Sequence, residues 1–409
     1  MTSSTIPEDF DYTDPSLNED GIPHDQFAAA RATAPVRWIT QPPEARAGFL
    51  GGGYWAVTRH RDVLEVSKNN IDFSNSENGA IIRLPEGVNR DLVELQRVML
   101  INQDPPNHTR YRSIVSRGFT PRSVDMLRGD LERRAQAIVL AARERESGNF
   151  VEDVAMELPL QAIAELLGVP QDDRKQLFEW SGQMMSYDDP QPGEDAELAA
   201  IELFSYFMAM AEERKKTPRD DIVTRLVEAD LDGEGLSSDE FGYFVTLLTV
   251  AGNETTRNAI THGMDAFFDN PDQWALFKAE RPPSTVDEVI RWASPVISFQ
   301  RTALRDVLVG GQHVARGDRV GLFYSSANFD DQVFEDPYRF DITRSPNPHL
   351  AFGGHGAHYC IGANLARLEV GIMFNAIADV LPDISKAGEP KRQRHSWVNG
   401  VRELAVRYG

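Results

Sequence analysis

Residues 350–368 read LAFGGHGAHYCIGANLARL, and this stretch contains Cys360, the single cysteine in 409 residues. Three glycines, Gly353, Gly354 and Gly356, allow the backbone before the cysteine to come close to a flat partner. The helical pattern that follows begins near Cys360, and a thiol near a helix N-terminus has its thiolate form favoured. The alternative is that Cys360 is a small buried apolar side chain, as most lone cysteines are.

The composition limits the chemistry open to this cysteine. A single cysteine allows no intramolecular disulfide and no zinc site built from several thiolates, which suits a reducing cytoplasm. A zinc site made of His355, His358 and Cys360 would need further ligands and would crowd three of them into six residues. The 42 basic and 63 acidic residues give a net charge of −21, which argues against nucleic acid or an anionic membrane surface as partner.

The sequence shows neither a secretory signal nor a membrane-spanning stretch. The first residues, MTSSTIPEDFDYTDP, have neither the basic nor the apolar region of a secretory signal. No stretch approaches the ~18 consecutive apolar residues that indicate a membrane span. We therefore expect a cytoplasmic protein without a membrane span.

Hydrophobic periodicity predicts one domain over residues 1–409, mainly α-helical with small β-sheets at its edge. Helical patterns run through most of residues 60–300, except for a loop-like section at 70–104. The glycines at 51–53 lead into a strand, so they predict a hairpin rather than a phosphate-binding loop. Strands are predicted at 35–39, 54–58, 306–309, 312–315 and 319–324, with Gly310 and Gly311 forming a hairpin turn.

Residues 237–270 are predicted to form one long helix. A capping box of Ser237 and Glu240 opens it, and Pro271 ends it. Thirty-four residues extend about 51 Å, whereas a compact chain of this length has a radius of gyration of about 22 Å. The helix must therefore cross the core.

The middle of this helix carries polar groups where core residues are expected. Gly252, Glu254 and Thr255 stand next to one another there, and a buried carboxylate is costly unless it is paired or used. One interpretation is that Gly252 permits close packing while Glu254 faces solvent or an ion pair. The other is a local opening of the helix over a ligand, with an acid and an alcohol directed into it.

The loop around Cys360 resembles the haem-thiolate signature of the cytochrome P-450 monooxygenases, whose general form is F-G-x-G-x-H-x-C-x-G. The aromatic residue stands one position early, as Phe352, and Gly353 occupies its usual place. The resemblance implies haem b, iron protoporphyrin IX, with the Cys360 thiolate as the iron ligand and an aromatic shield over the sulfur. It also places further loop residues at the cofactor, namely Phe352, Gly353, Gly354, His358 and Gly362.

Three other segments resemble motifs of the same family. Glu288 and Arg291 on a helix, with Arg339 in DPYRFD, are similar to its structural Glu-Arg-Arg triad, which braces the haem loop. His108 and Arg112, with Arg301 and His358, resemble the residues that hold the haem propionates. The string AGNETT resembles the oxygen-activation motif of its long central helix, which implies catalytic roles for Ala251, Gly252, Glu254 and Thr255.

The resemblance covers essentially the whole chain, and it implies a triangular helix-rich prism with haem between the long central helix and the helix after Cys360. In this arrangement Thr255 hydrogen-bonds dioxygen or an ordered water, and Glu254 connects that water to solvent. The implied activity is insertion of one oxygen atom of O₂ into a C–H bond. A peroxide-using haem-thiolate enzyme and a non-catalytic haem sensor or carrier are the alternatives, although neither requires the Glu254–Thr255 pair.

The walls of the implied substrate pocket are apolar, which fits an elongated hydrophobic substrate. Strings such as AGNETTRNAITHGM and FQRTALRD resemble the branch that hydroxylates the terminal methyl of a sterol side chain; a terpene or a long alkyl or fatty substrate is the alternative. The predicted lining residues are Ile81, Leu100, Ile101, Leu247, Val250, Ala251, Ile297, Phe299, Trp397 and Val398.

The implied electron supply is NAD(P)H, through a ferredoxin and a flavin-dependent ferredoxin reductase. A local basic surface on an acidic protein would steer an acidic ferredoxin. We expect a monomer that binds no nucleic acid. The predicted basic surface consists of Arg110, Arg117, Arg122, Arg367 and the segment 391–394.

Overall fold

The computed structural model describes residues 6–7, 10–46, 48–85, 87–191, 193, 195–230 and 235–409. Helices dominate these residues, and none of them is long and apolar enough to span a membrane. The α-helices are α1 His24–Thr33, α2 Pro43–Arg46, α3 His60–Lys68, α4 Arg90–Leu95, α5 Asn107–Ser116, α6 Pro121–Asp125, α7 Arg128–Arg143, α8 Glu157–Leu167, α9 Arg174–Met184, α10 Ala196–Lys216, α11 Ile222–Val227, α12 Ser238–Asp269, α13 Pro271–Glu280, α14 Thr285–Ala293, α15 Tyr324–Ala327 and α16 Ala363–Val380.

Four small sheets lie beside the helices. The strands are β1 Val36–Thr40, β2 Gly53–Val57, β3 Phe73–Ser74, β4 Ser147–Asn149, β5 Ser298–Ala303, β6 Val307–Val309, β7 Gln312–Val314, β8 Arg319–Phe323, β9 Ser385–Lys386, β10 Lys391–Arg392, β11 Val401–Glu403 and β12 Ala405–Arg407. The largest sheet has the order β1-β2-β8-β5-β3, in which only β2 and β8 run parallel. The others have the orders β4-β12-β9, β10-β11 and β6-β7.

The predicted hairpins and the mixed α and β composition are confirmed. Strands β1 and β2 pair antiparallel, and β6 and β7 flank Gly310 and Gly311, whose φ angles of 53° and 87° suit a turn that only glycine adopts readily. The section 70–104 is less loop-like than predicted. It contains β3, helix α4 and two 3₁₀ turns at Gln96–Val98 and Leu100–Asn102.

Helix α12 is the central element of the fold. Its N-cap Ser237 and Glu240 form the predicted capping box, and Asn270 caps its C-terminus before Pro271. It packs against α8, α10, α14 and α16, most of its residues are buried, and many of its apolar side chains belong to the main hydrophobic core. The prediction of one core-crossing helix is confirmed.

The glycines of the cysteine loop come close to another part of the chain. A Cβ at Gly354 would lie 2.4 Å from Cβ of Ser67, and one at Gly356 would lie 1.9 Å from the Ser67 carbonyl oxygen. The close approach that the structure shows at these two positions is therefore to α3. Gly353 has a φ of 88°, a conformation that side chains rarely adopt.

Candidate active site

Cys360 lies in the loop that precedes α16, three residues before that helix begins at Ala363. Its backbone N–H donates to the carbonyl of Phe352 at 2.9 Å, which closes the loop on itself. The Cys360 side chain is exposed. The loop thus presents an accessible thiol next to a helix N-terminus, as the sequence predicts.

The surroundings of this thiol act on it in opposite directions. Although the Cys360 side chain has an accessible surface, the protein atoms around it desolvate the thiol, and this raises its pKa. The backbone N–H of Gly362 and the guanidinium charges of Arg112 and Arg367 favour the thiolate. A cation that binds the sulfur would favour the thiolate further.

Four basic side chains gather close to the cysteine loop. The rings of His108 on α5 and His358 lie 4.1 Å apart, centroid to centroid. Arg112, one turn after His108, donates from Nη2 to the carbonyl of Tyr359 at 2.5 Å. Burial and then the charges of Arg112 and Arg301 lower the pKa of both histidines, that of His108 to about 4. The structure therefore brings these four predicted residues together.

This cluster fits haem. Among the described residues, Nδ1 of His108 and Nε2 of His358 are buried without a hydrogen-bond partner, and buried polar atoms normally have one. Arg301 is also buried, which lowers its pKa. Two carboxylates would supply acceptors and opposite charge to these groups, and haem carries two propionates beside an iron that a thiolate can bind.

One face of α12 remains accessible in the middle of the buried helix. Ala251 is exposed, while Leu247, Gly252 and Thr255 are partly buried, and their spacing places them on the same side. The helix is continuous here, so the predicted local opening is not present. Instead the Thr255 hydroxyl donates to the Ala251 carbonyl at 2.8 Å.

Glu254 points away from this accessible face. Its carboxylate is 4% exposed and forms an ion pair with Arg257, with 2.6 Å between Oε2 and Nη2. Burial raises the pKa of Glu254, and the Arg257 charge opposes this shift. A Cβ on Gly252 would lie 3.3 Å from Ile163, so both features of the structural interpretation, close packing and an ion pair, are present.

The predicted pocket residues fall into different environments. Val250 and Val398 form a buried cluster with Met185, and Trp397 packs against it. The ring of Phe299 lies 5.7 Å from that of Trp397. Other predicted residues belong to the cores: Leu100 lies in the main cluster and Ile297 in the cluster around Phe323. Ile81, Ile101 and Leu247 are partly buried.

Sequence reasoning missed several residues near these groups. Met184 and Met185 end α9 and join the Trp397 cluster, and Tyr187 accepts a hydrogen bond from Trp397 Nε1 at 2.7 Å. Tyr324 is buried, which raises its pKa, and the charge of Arg301 in the basic cluster opposes this shift. Met184, Met185 and Tyr187 lie more than 200 residues from Trp397 in the sequence, and no periodic pattern connects them. Only the tertiary packing shows that they are neighbours.

The third member of the predicted triad is wrong. Arg291 and Glu288 are fully buried and form two 2.8 Å hydrogen bonds, but the second arginine on Glu288 is Arg344, at 3.1 Å. Arg339 is exposed and contributes its backbone carbonyl, which accepts from Arg344. The chain turns between the two positions, so the later arginine is the one that reaches the carboxylate.

The triad connects directly to the cysteine loop. Arg291 Nη1 donates to the Asn328 carbonyl at 2.8 Å, and Asn328 Oδ1 accepts from the backbone N–H of Leu350 at 2.6 Å. Leu350 begins the stretch that leads to Cys360. The contacts therefore support the predicted bracing role of Glu288 and Arg291.

The expected basic surface is smaller than predicted. Lys391 pairs with Glu403 at 2.6 Å, and the Arg394 side chain lies 4.0 Å from Glu19. Since acids oppose these cations, the segment 391–394 does not add a positive surface. Arg117 and Arg122 are exposed around the short turn between α5 and α6.

Comparison with known proteins agrees with this geometry. A family model described as cytochrome P-450 matches residues 283–378. The chain is 57% identical over 408 residues to a steroid C26-monooxygenase of Rhodococcus jostii, covering 100% of this chain and 86% of that protein. The chain belongs to the cytochrome P-450 family. Among solved structures, a Mycobacterium marinum cytochrome P-450 in complex with pseudoionone has a TM-score of 0.90 at 33% identity, covering 99% and 100% of the two chains.

A second kind of relative is similar in sequence over nearly its whole length. A methyl-branched lipid omega-hydroxylase of Mycobacterium tuberculosis is 39% identical over 400 residues, covering 95% of this chain and 91% of that protein. As a cytochrome P-450 monooxygenase, this protein uses haem-thiolate iron, O₂, electrons from NAD(P)H through redox partners, and a hydrophobic substrate. The predicted enzyme class, cofactor and fold are confirmed.

Proposed function

We propose that this cytochrome P-450 hydroxylates the terminal methyl group of a sterol or steroid side chain. Full-length 57% identity to a steroid C26-monooxygenase carries the choice of substrate. The apolar cluster of Val250 in α12 with Val398, Met185 and Trp397 supports it, because apolar side chains next to the accessible Ala251 favour a hydrocarbon substrate, which is bound by burial at ~25 cal/mol per Å². A methyl-branched lipid is the second candidate, favoured by the 39% identical omega-hydroxylase.

In this proposal two groups of residues hold the cofactor, one at the iron and one at the propionates. Cys360 binds the iron, and His108, Arg112, Arg301 and His358 hold the propionates. Haem, when bound, activates O₂ and supplies one oxygen atom to the substrate. Nδ1 of His108 and Nε2 of His358, both buried without a hydrogen-bond partner among the described residues, are the ring atoms that would donate to the propionates.

Thr255 and Glu254 handle the protons. The Thr255 hydroxyl donates to the Ala251 carbonyl, so its lone pairs are free to accept a hydrogen bond from a water on the accessible face of α12. On the buried side of α12, the Glu254 carboxylate is paired with Arg257 and can be either protonated or negatively charged. Rotation of Glu254 away from Arg257 connects that water to solvent.

The replacement Thr255→Ala tests this role. We expect substrate binding to be unchanged, while product per NAD(P)H consumed falls about tenfold and hydrogen peroxide increases, since positioned proton transfer is worth about 10²–10⁴ in rate. Coupling is measured as product and peroxide per NAD(P)H. Thr261→Ala is the matched control, because its hydroxyl makes the same bond to a carbonyl four residues earlier, at 2.9 Å to Arg257. Unchanged coupling in Thr255→Ala would exclude the proposed role.

Electrons reach the site, in this proposal, from a ferredoxin and its flavin-dependent reductase. Arg117 and Arg122 support a docking surface, because both are exposed around α5 and α6, and α6 packs on α16, the helix that follows Cys360. Arg367 pairs with Asp287 at 2.7 Å and is not part of this surface. A local positive surface on a chain of net charge −21 steers an acidic partner to that place. A cytoplasmic location, as the composition predicts, and a monomeric state complete the proposal.

The substrate class is tested by titrating the holoenzyme with candidate ligands while the haem Soret band is recorded. Cholestenone is expected to shift the band at lower concentration than a terpene, a straight fatty acid or a methyl-branched fatty acid. The product of cholestenone turnover should carry a hydroxyl on the terminal methyl. Tighter binding of the methyl-branched acid would favour the second candidate instead.

A variant of the pocket provides the control for this titration. Trp397→Leu removes ring area and the hydrogen bond to Tyr187, so cholestenone should bind about tenfold more weakly, or ~1.4 kcal/mol. Trp38→Leu changes a tryptophan that packs against Trp55 on the β1–β2 hairpin, and it should leave binding unchanged. Equal effects of the two variants would place the substrate away from Trp397.

A further inference from the structure

A chain of contacts leads from α14 through Arg367 to the backbone that carries Cys360. Arg367 Nε donates to Asp287 Oδ1 at 2.7 Å, and the same oxygen lies 3.1 Å from Nε2 of His349. Burial opposes this arrangement, but His349 and Arg367 hold the pKa of Asp287 at about 2. Asp287 is thus a fixed anion that orients the guanidinium.

The guanidinium lies over an aromatic ring. Cζ of Arg367 is 4.6 Å from the centroid of the Phe352 ring, which is within cation–π distance. The Phe352 carbonyl accepts the backbone N–H of Cys360 at 2.9 Å. Arg367 Nη1 is also 3.5 Å from the hydroxyl of Tyr359, the residue before the cysteine. The side chain therefore contacts residues tied to Cys360 by a hydrogen bond or a peptide bond.

The contacts of Phe352 show where the displaced aromatic residue of the cysteine loop lies. The aromatic residue of the family signature stands one position early here, and Gly353 occupies its usual place. In the structure the displaced Phe352 packs against Arg367, His349 and Tyr359. Next to the cysteine loop, the Arg367 guanidinium is therefore held by a hydrogen bond to Asp287 and by a cation–π contact with the Phe352 ring.

We propose that Arg367 is a positioning residue that sets the electron donation of the Cys360 sulfur, through its charge and through its contact with Phe352. The inference rests on the proposed function in one respect, that Cys360 binds the haem iron. A positive charge near the sulfur stabilises the reduced, more negative state of the site and makes reduction easier.

The test is the ferric–ferrous midpoint potential of the holoenzyme, titrated with soluble mediators and without ferredoxin. Loss of the charge in Arg367→Gln should shift the potential to a more negative value, and Arg367→Lys should restore most of that shift. Arg316→Gln removes an exposed arginine in the turn between β7 and β8 and should leave the potential unchanged. Because ferredoxin is absent, a docking role of Arg367 cannot produce the shift.

A second variant keeps the proposal testable if Arg367→Gln binds haem poorly. Phe352→Leu removes the ring under the guanidinium and should shift the potential in the same direction by a smaller amount. A potential in Arg367→Gln or Phe352→Leu equal to that of Arg316→Gln would overturn the inference. Absence of a thiolate-type carbonyl spectrum in the unmodified protein would instead overturn Cys360 ligation itself, so the two failures are distinguishable.

Discussion

Replacement of Cys360 by histidine is expected to abolish the thiolate-type carbonyl spectrum and to stop product formation. With haem bound, an anionic sulfur ligand would supply the electron density that the activation of O₂ requires, whereas a neutral imidazole would tune the iron for other tasks. The chain holds no second cysteine that could replace it. The measurements are the spectrum of the reduced protein with carbon monoxide and product formation with a surrogate redox partner.

The matched control for this variant lies in the same loop. His355 stacks on Tyr359 with ring centroids 5.0 Å apart and has a φ of 58°, a conformation that asparagine also adopts. His355→Asn should keep the thiolate-type spectrum and most of the activity. Persistence of that spectrum in Cys360→His would contradict the ligand assignment, and its loss in His355→Asn would show that the loop tolerates no change at all.

The parts of the fold that the sequence predicted well depend on local signals. Helix α12 begins after Ser237 and ends before Pro271 because the capping box and the proline act on the backbone beside them. The hairpin at Gly310 and Gly311 follows from glycine's access to positive φ. Such rules need only neighbouring residues, so the bounds of these elements agree with the structure to within about one residue.

The parts that the sequence predicted poorly depend on contacts between distant segments. The sequence around Gly252 allows either close packing or a helix opening, and the structure shows the first, because Ile163 packs against that glycine and α12 remains continuous. Met184 ends α9 and Tyr187 follows it, and no periodicity in this part of the sequence marks either residue as a neighbour of Trp397. The gathering of His108, Arg301 and His358 was inferred only from family resemblance, since residues so far apart share no local rule.

The third residue of the triad is another contact between distant segments that the sequence alone does not decide. Both Arg339 and Arg344 follow Glu288 at a plausible distance along the chain, and the motif DPYRFD drew attention to the first. Only the turn between them decides which guanidinium points inward. Arg344 donates to the carbonyls of Glu335, Asp336 and Arg339, so it closes this turn as well as contacting Glu288.

The variant Glu288→Gln is expected to lower the free energy of unfolding by about 3–5 kcal/mol, because it leaves the buried charge of Arg291 without its partner. Glu288 is fully buried and accepts from Arg291, Arg344, Asn347 and the backbone of Asp341. The measurement is the urea midpoint and slope of the holoenzyme. We also expect faster haem loss, since Arg291 braces Asn328 and through it Leu350.

Two arginine variants show whether a loss of stability comes from removing a positive charge in this segment or from removing the contact with Glu288. Arg344→Gln should lower the free energy of unfolding by about 1–3 kcal/mol, because its guanidinium is 9% exposed and makes one bond to Glu288 and three to backbone carbonyls. Arg339→Gln changes an exposed side chain and should stay within about 0.5 kcal/mol of the unmodified protein. The two variants remove the same charge five residues apart, so a difference between them isolates the contact with Glu288. Equal losses would mean that Arg344 has no special role and that the arrangement around Glu288 is wrong.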